Sequence, residues 1–256
     1  VYKRQVGPSM TSDSVITVPA FVPARSGVRH FFGTRRHAAQ LAYEIGTPAP
    51  ARDLEGAARS SWMLSVKQVH GTDALVVDRA LTSSDRFSGG WDALVTDQRG
   101  IMVAVRTADC VPVLLHDPKR KVVAAVHAGW RGAVAGIVGK TISVMEARFG
   151  TVPDHLQISI GPSAGVCCYE VDQTVLDKLP EACPDVRRVI RGQRGGKAHL
   201  DLKMLIKEQA RSAGIREDSI TCVNLCTICH EELFFSYRRE GKVMGTMVSA
   251  IGLAPQ

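Results

Sequence analysis

No stretch of the chain approaches the ~18 consecutive apolar residues that a membrane helix needs, and no basic segment followed by an apolar one opens it as a secretory signal would. A cytoplasmic protein without a membrane partner is expected. Aromatic residues are scarce, at 5%, so there are few of the stacking platforms on which single-strand nucleic-acid binders rely. Acidic residues are also in deficit: 25 Asp and Glu against 32 Lys and Arg leave a formal charge of +7. That balance favours anionic partners such as phosphates, nucleotides or nucleic acid, although many basic proteins bind none of these, and the shortage of aromatics counts against nucleic acid. There is no repeat of 20–50 residues and no long Pro/Ser linker. Nothing marks a domain boundary, so residues 10–256 are read as a single domain. Residues 1–9 precede Met10, which reads as a native start, and are set aside as an expression remnant. The seven cysteines are an odd number, which in such a chain suits thiols, metal ligands or core fillers better than disulfides.

The composition, 45% hydrophobic and 22% charged over 256 residues, is that of an ordinary globular protein. Valine-rich runs at 92–96, 101–106, 111–115 and 122–127 lie between turn signals such as Gln98-Arg99-Gly100 and Asp117-Pro118-Lys119, and predict four strands spaced for hairpins. Residues 132–149 carry Val134, Ile137, Val138, Ile142, Met145 and Phe149 at helical spacing, predicting one long amphipathic helix ended by Gly150. A strand at 156–160, a helix over 201–213 and late strands at 220–224 and 243–251 complete a mixed α/β reading. The basic stretch from Arg187 to Lys197 is expected to be a solvated loop, its alternative being a grip on phosphate or RNA.

Three side chains able to bind metal stand where strands end: His70 in Lys67-Gln68-Val69-His70-Gly71, Cys110 after Thr107-Ala108-Asp109, and His127 before Ala128-Gly129-Trp130-Arg131-Gly132. Their separations match no local zinc motif, so spacing leaves two readings open. Two imidazoles and a thiolate form a three-ligand, open-position set for zinc; alternatively the histidines are hydrogen-bonded turn residues and Cys110 a small core side chain.

These segments, with Asp92-Ala93-Leu94-Val95-Thr96, Ile160-Gly161-Pro162, Cys168-Tyr169-Glu170-Val171 and Phe234-Phe235-Ser236-Tyr237-Arg238-Arg239, strongly resemble the laccase-domain family. That family was once called polyphenol oxidases, is now regarded as zinc-dependent purine nucleoside phosphorylases, and is also named for peptidoglycan editing. The matches run in family order from about Arg29 to Ile251. The resemblance implies a mixed-sheet sandwich flanked by helices, with catalytic zinc on His70, Cys110 and His127. It implies phosphorolysis of adenosine, inosine and methylthioadenosine and deamination of adenosine, by a monomer or weak dimer. Copper and phenol oxidation belong to the older claim. Oxidation of that kind needs several coppers and correspondingly many imidazoles, and eight histidines outside any His-x-His pattern do not supply them.

Thr34-Arg35 matches a family Thr-Arg pair, so Arg35 is expected to clamp phosphate, with Arg131 and Glu170 as further substrate contacts. The family's Gly-Gly-x-Ser after that pair is replaced by Arg36-His37-Ala38-Ala39, and the region to Arg59 is shortened. A cysteine hydrolase with Cys110 as nucleophile, trimming a peptidoglycan precursor, is the competing enzyme class. Cys222-x₃-Cys226-x₂-Cys229 has an iron–sulfur spacing, and residues 226–230 spell a haem-attachment pentapeptide. Radical enzymes carry that motif early, whereas only 27 residues follow Cys229, and haem attachment follows export. A structural role is expected, with the three sulfurs diverging or packed in apolar surroundings. Cys167-Cys168 reads as a vicinal pair at a turn. Trp130 is expected to anchor the core or to stack on a purine at the mouth of the site.

Overall fold

The structure, a computed structural model, describes residues 9–10, 15–21, 27–38, 44–51 and 62–254. The first eight residues, and positions 39–43 and 52–61 of the shortened region, lie outside the described residues. Two sheets face each other, and helices cover the far side of one. The six-stranded sheet runs Ile220–Cys222, Gln157–Ile160, Val111–Asp117, Val122–Ala128, Ala93–Thr96, Ala74–Val77. The seven-stranded sheet has Met247–Leu253 between Val28–Phe32 and Ile101–Thr107, and Trp62–Ser65 beyond. Both parallel and antiparallel neighbours occur in each. A mixed-sheet sandwich flanked by helices is therefore what the chain adopts.

Residues 93–95, 111–115 and 122–126 are apolar at every position because the six-stranded sheet is covered on both faces. Side chains alternate across a strand. Leu94, Leu114, Val123 and Ala125 accordingly pack toward the other sheet with Leu64, Val103, Val105 and Ile251. Their neighbours Val95, Val113, Ala124 and Val126 pack under the helices with Ile137, Ile142, Met145, Leu205 and Ile206. Burial of alternate residues on opposite sides fixes the register, since a one-residue slip would exchange the two sets.

All four strands form, but only one consecutive pair is a hairpin: Val111–Asp117 with Val122–Ala128, Val113 opposite Val126. Ala93–Thr96 pairs with Val122–Ala128, while Ile101–Thr107 crosses into the other sheet beside Met247–Leu253. The crossing is made at Gly100, at φ 75°, whose N–H donates to Leu253 O and whose carbonyl accepts from Trp62 N. The expected long helix is two, Trp130–Val134 and Ile137–Phe149. Gly136 sits between them at φ 79°, a left-handed turn that ends the first and starts the second. The 201–213 helix is Leu202–Ser212, capped by the Asp201 side chain on Met204 N. The basic stretch is not a loop but a hairpin, Ile190–Arg194 with Lys197–Leu200, turned by Gly195-Gly196 at φ 57° and 74°. The last strand starts only at Met247, leaving Val243 and Met244 exposed. Among the described residues no helix is long and apolar enough to cross a membrane.

Candidate metal centre and its cavity

His70, Cys110 and His127 converge: one ligand atom from each lies within 4.8 Å of the others. Each is brought there by a buried carboxylate. The Asp92 side chain, fully buried at the start of its strand, accepts from the backbone N–H groups of Val69, His70 and Gly71 at 3.2, 2.9 and 2.6 Å. It thereby wraps the glycine turn and holds His70 at φ 60°. The same carboxylate accepts from His127 Nδ1 at 2.7 Å. That bond fixes the imidazole and leaves Nε2 as the ring's free ligand atom.

Asp109 does the equivalent for Cys110. It adopts φ 92°, sparse for a side-chain-bearing residue. Thr227 Oγ1, Ser236 Oγ and Arg238 N donate to its carboxylate at 2.6, 3.0 and 2.7 Å and hold it there. Gln68 adds a clasp, its amide both donating to Arg106 O and accepting from Arg106 N at 2.8 Å. Gly129 passes so close that a Cβ there would stand 2.8 Å from His70 Cδ2 and 3.1 Å from Cys110 Sγ. Asp92, Asp109, Gln68 and Gly129 were not singled out from sequence. The available signal was a carboxylate opening an otherwise apolar strand, twice.

The electrostatics suit a metal. Burial raises the Cys110 thiol, but hydrogen bonding from His127 and His70 brings it down to about 7. Burial lowers His127, yet Asp92 and Cys110 raise it to about 9. Burial also raises the Asp92 carboxyl, and the bonds from His127, Gly71 and His70 outweigh it and hold it below the ordinary carboxylate value. Without a metal these shifts favour a thiolate beside an imidazolium; an ion taking the place of the Nε2 proton would meet a thiolate and oriented imidazoles, the ligand set of an open three-ligand zinc centre. By donor chemistry and spacing the site fits one such ion.

The centre opens into a cavity of about 630 Å³ lined by Lys67, Arg106, Arg131 and Arg238, with Trp130 and Tyr169 among its apolar walls. Arg106 Nε is buried without a hydrogen-bond partner. Arg131 stacks on Trp130, its guanidinium 4.4 Å from the ring centroid. Arg131 thus lines the same cavity as the three ligands. The Arg35 guanidinium donates to Glu231 O at 2.6 Å, lies over Phe235, and does not line this cavity. Glu170 lines an adjoining cavity of about 430 Å³ instead, ion-paired with Lys197 at 3.0 Å. Trp130, Arg131, Tyr169 and Arg238 form the shared wall.

The cysteine expectation needs correction. Cys222 packs against the helix-side core, but Cys226 and Cys229 do not diverge. They face Cys167 and Cys168, and the four sulfurs lie within 4.8 Å of one another. Ser163 pairs with Cys226 as an isolated bridge, which brings the two segments side by side.

A two-sheet fold carrying a His-Cys-His centre defines the class, and the chain belongs to the family described as multi-copper polyphenol oxidoreductase laccase, whose model matches residues 51–254. It is 37% identical over 196 residues to the purine nucleoside phosphorylase YlmD of Geobacillus stearothermophilus, covering 73% of this chain and 70% of that one. It is 36% identical over 191 residues to adenosine deaminase RL5 of an unknown prokaryotic organism, covering 72% of each. The crystal structure of YlmD from Geobacillus stearothermophilus superposes with a TM-score of 0.81 at 28% identity, over 97% of this chain and 99% of that one.

Proposed function

We propose that this protein is a zinc-dependent purine nucleoside phosphorylase acting on adenosine, inosine and methylthioadenosine, with adenosine deaminase activity at the same centre. The observation that carries the reading is the open His70–Cys110–His127 set facing a cavity whose lining interleaves cationic and aromatic side chains, Arg131 over Trp130 and Arg238 over Tyr169. Its volume falls within the range of about 300–1,000 Å³ usual for small-molecule sites. The names of the relatives support both reactions. Zinc there would polarise phosphate or lower the pKa of a bound water.

The chain's own residues do the rest. Lys67, Arg106, Arg131 and Arg238 line the cavity and supply the positive charge that gathers the phosphate dianion. Trp130 and Tyr169 supply the aromatic lining against which the purine would pack. Asp92 keeps His127 in one tautomer and His70 in one backbone conformation. In phosphorolysis a phosphate oxygen forms the bond to the ribose C1′ as the C1′–N9 bond breaks, and the bonding pair leaves with the base. The anion role expected of Arg35 passes to the cavity arginines.

A second reading has one observation in its favour. Asp92, His127 and Cys110 stand in the order of a cysteine-hydrolase triad, with a lowered thiol and a raised imidazole. Such a triad has no use for His70, which Asp92 holds with Nε2 3.9 Å from Cys110 Sγ. A metal uses all three. Chelation and restoration separate the two: turnover of adenosine with phosphate should vanish in verified metal-free protein and return with added Zn²⁺. Turnover that persists without metal would establish the Cys110 nucleophile in its place.

A further inference from the structure

Outside this centre the chain assembles a second set of soft ligands. Cys167 and Cys168 stand on the turn before Tyr169, and Cys226 and Cys229 on a C-x₂-C loop; all four sulfurs fall within 4.8 Å. Cys229 Sγ is 3.6 Å from Cys167 Sγ and 3.3 Å from Cys168 Sγ. A zinc tetrahedron with Zn–S of about 2.3 Å has S–S edges of about 3.8 Å, so this spacing is that of one mononuclear ion. A polynuclear iron–sulfur cage would hold its four cysteines farther apart, and a disulfide would draw two of them to about 2.05 Å. We propose that Cys167, Cys168, Cys226 and Cys229 bind one structural zinc ion, distinct from the ion of the His70–Cys110–His127 centre.

Backbone N–H groups converge on the sulfur of Cys226. The N–H of Gly165 donates to Cys226 Sγ at 3.2 Å, and the N–H groups of Cys229 and Ile228 also point at that sulfur. A Cβ on Gly165 would stand 3.0 Å from Cys226 Cβ and 3.2 Å from Cys167 Sγ, so only glycine lets the two loops close to this distance. Four thiolates on one dication leave a net charge of −2, and the buried ammonium of Lys203, anchored on Leu225 O at 2.8 Å, lies near enough to Cys226 and Cys167 to act on their charges. The position also has a purpose. Thr227, inside the C-x₂-C loop, donates to Asp109, the residue that sets Cys110. On the other side the Cys167-Cys168 turn leads straight into Tyr169 of the cavity wall. A zinc staple here would brace both sides of the catalytic pocket without touching substrate.

The test is metal content and sulfur count, not activity. The full chain, purified without chelator, should carry two zinc ions, and its zinc-edge absorption should average between two and three sulfurs per ion. Cys110→Ser should keep one ion in an all-sulfur shell at about 2.3 Å. The double variant C168S/C229S should keep one ion in a mixed nitrogen–sulfur shell. Loss of the catalytic ion alone would leave wild-type protein with one zinc bound by four sulfurs, so that failure is distinguishable from failure of the staple. The staple is overturned if wild-type protein averages one sulfur per zinc, if folded Cys110→Ser holds no zinc, or if peptide mapping of native protein finds Cys168 disulfide-bonded to Cys229. Should the double variant not fold, the wild-type sulfur count alone decides.

Discussion

Asp92→Asn is the sharpest perturbation available, because it alters one atom of a group that positions two ligands. Oδ1 accepts from His70 N and His127 Nδ1, while Oδ2 accepts from Val69 N and Gly71 N. An asparagine amide has one oxygen. Whichever way it is flipped, its NH₂ faces one of these pairs, and two donors lose their acceptor. At about 1–3 kcal/mol for each orphaned group the cost is about 2–6 kcal/mol, divided between fold stability and ligand geometry. Removing an outer-shell partner of a ligand imidazole typically lowers metal affinity 10–100-fold. The zinc Kd measured by chelator competition should therefore rise 10–100-fold, equivalent to about 1.4–2.8 kcal/mol, in protein whose circular dichroism remains native. A Kd within twofold of wild type, together with an unchanged melting temperature, would refute the claim that Asp92 organises the centre.

Two further outcomes follow from the packing. Burial and the neighbouring His116 push His30 down to about 4 from 6.5, and its Nε2 accepts from Val18 N at 2.9 Å, which only the neutral ring can do. The unfolded chain takes up this proton below pH 6.5 and the folded chain only near pH 4, so stability is full above pH 6.5 and falls as pH drops through that window. The loss at pH 4.5 is about 2.5 kcal/mol. In urea unfolding, His30→Gln should flatten that part of the pH dependence, and equal acid losses in variant and wild type would count against it. Gly129→Ala drives a Cβ against His70 and Cys110; zinc affinity should fall at least tenfold, read by the same chelator competition, and a wild-type Kd would show that the backbone gives way there.

The sheet that carries the site was legible because a strand buried on both faces leaves an uninterrupted apolar run, as 111–115 and 122–126 do. Which strands paired was not, since Ile101–Thr107 leaves its sequence neighbours for a partner near the end of the chain. The break at Gly136 was hidden because its flanking residues keep helical spacing. The Gly195-Gly196 pair did signal the hairpin that charge alone disguised as a loop. His70, Cys110 and His127 were found through family resemblance, and their spacing alone left them ambiguous. The carboxylates that aim them, and the meeting of the 167–168 and 226–229 cysteines, depend on contacts across 21–129 residues that no local pattern encodes.

The three donors on Asp109 come from positions 118, 127 and 129 residues downstream. His70, Asp92, Cys110 and His127 therefore leave the ribosome long before the segment that locks Cys110 into place exists. A nascent chain holds these ligands without their final geometry, and a competent centre arises only when residues 227–238 dock. Assembly of the His70–Cys110–His127 cluster is thus a late event in the life of the polypeptide, governed by long-range closure with its loop entropy.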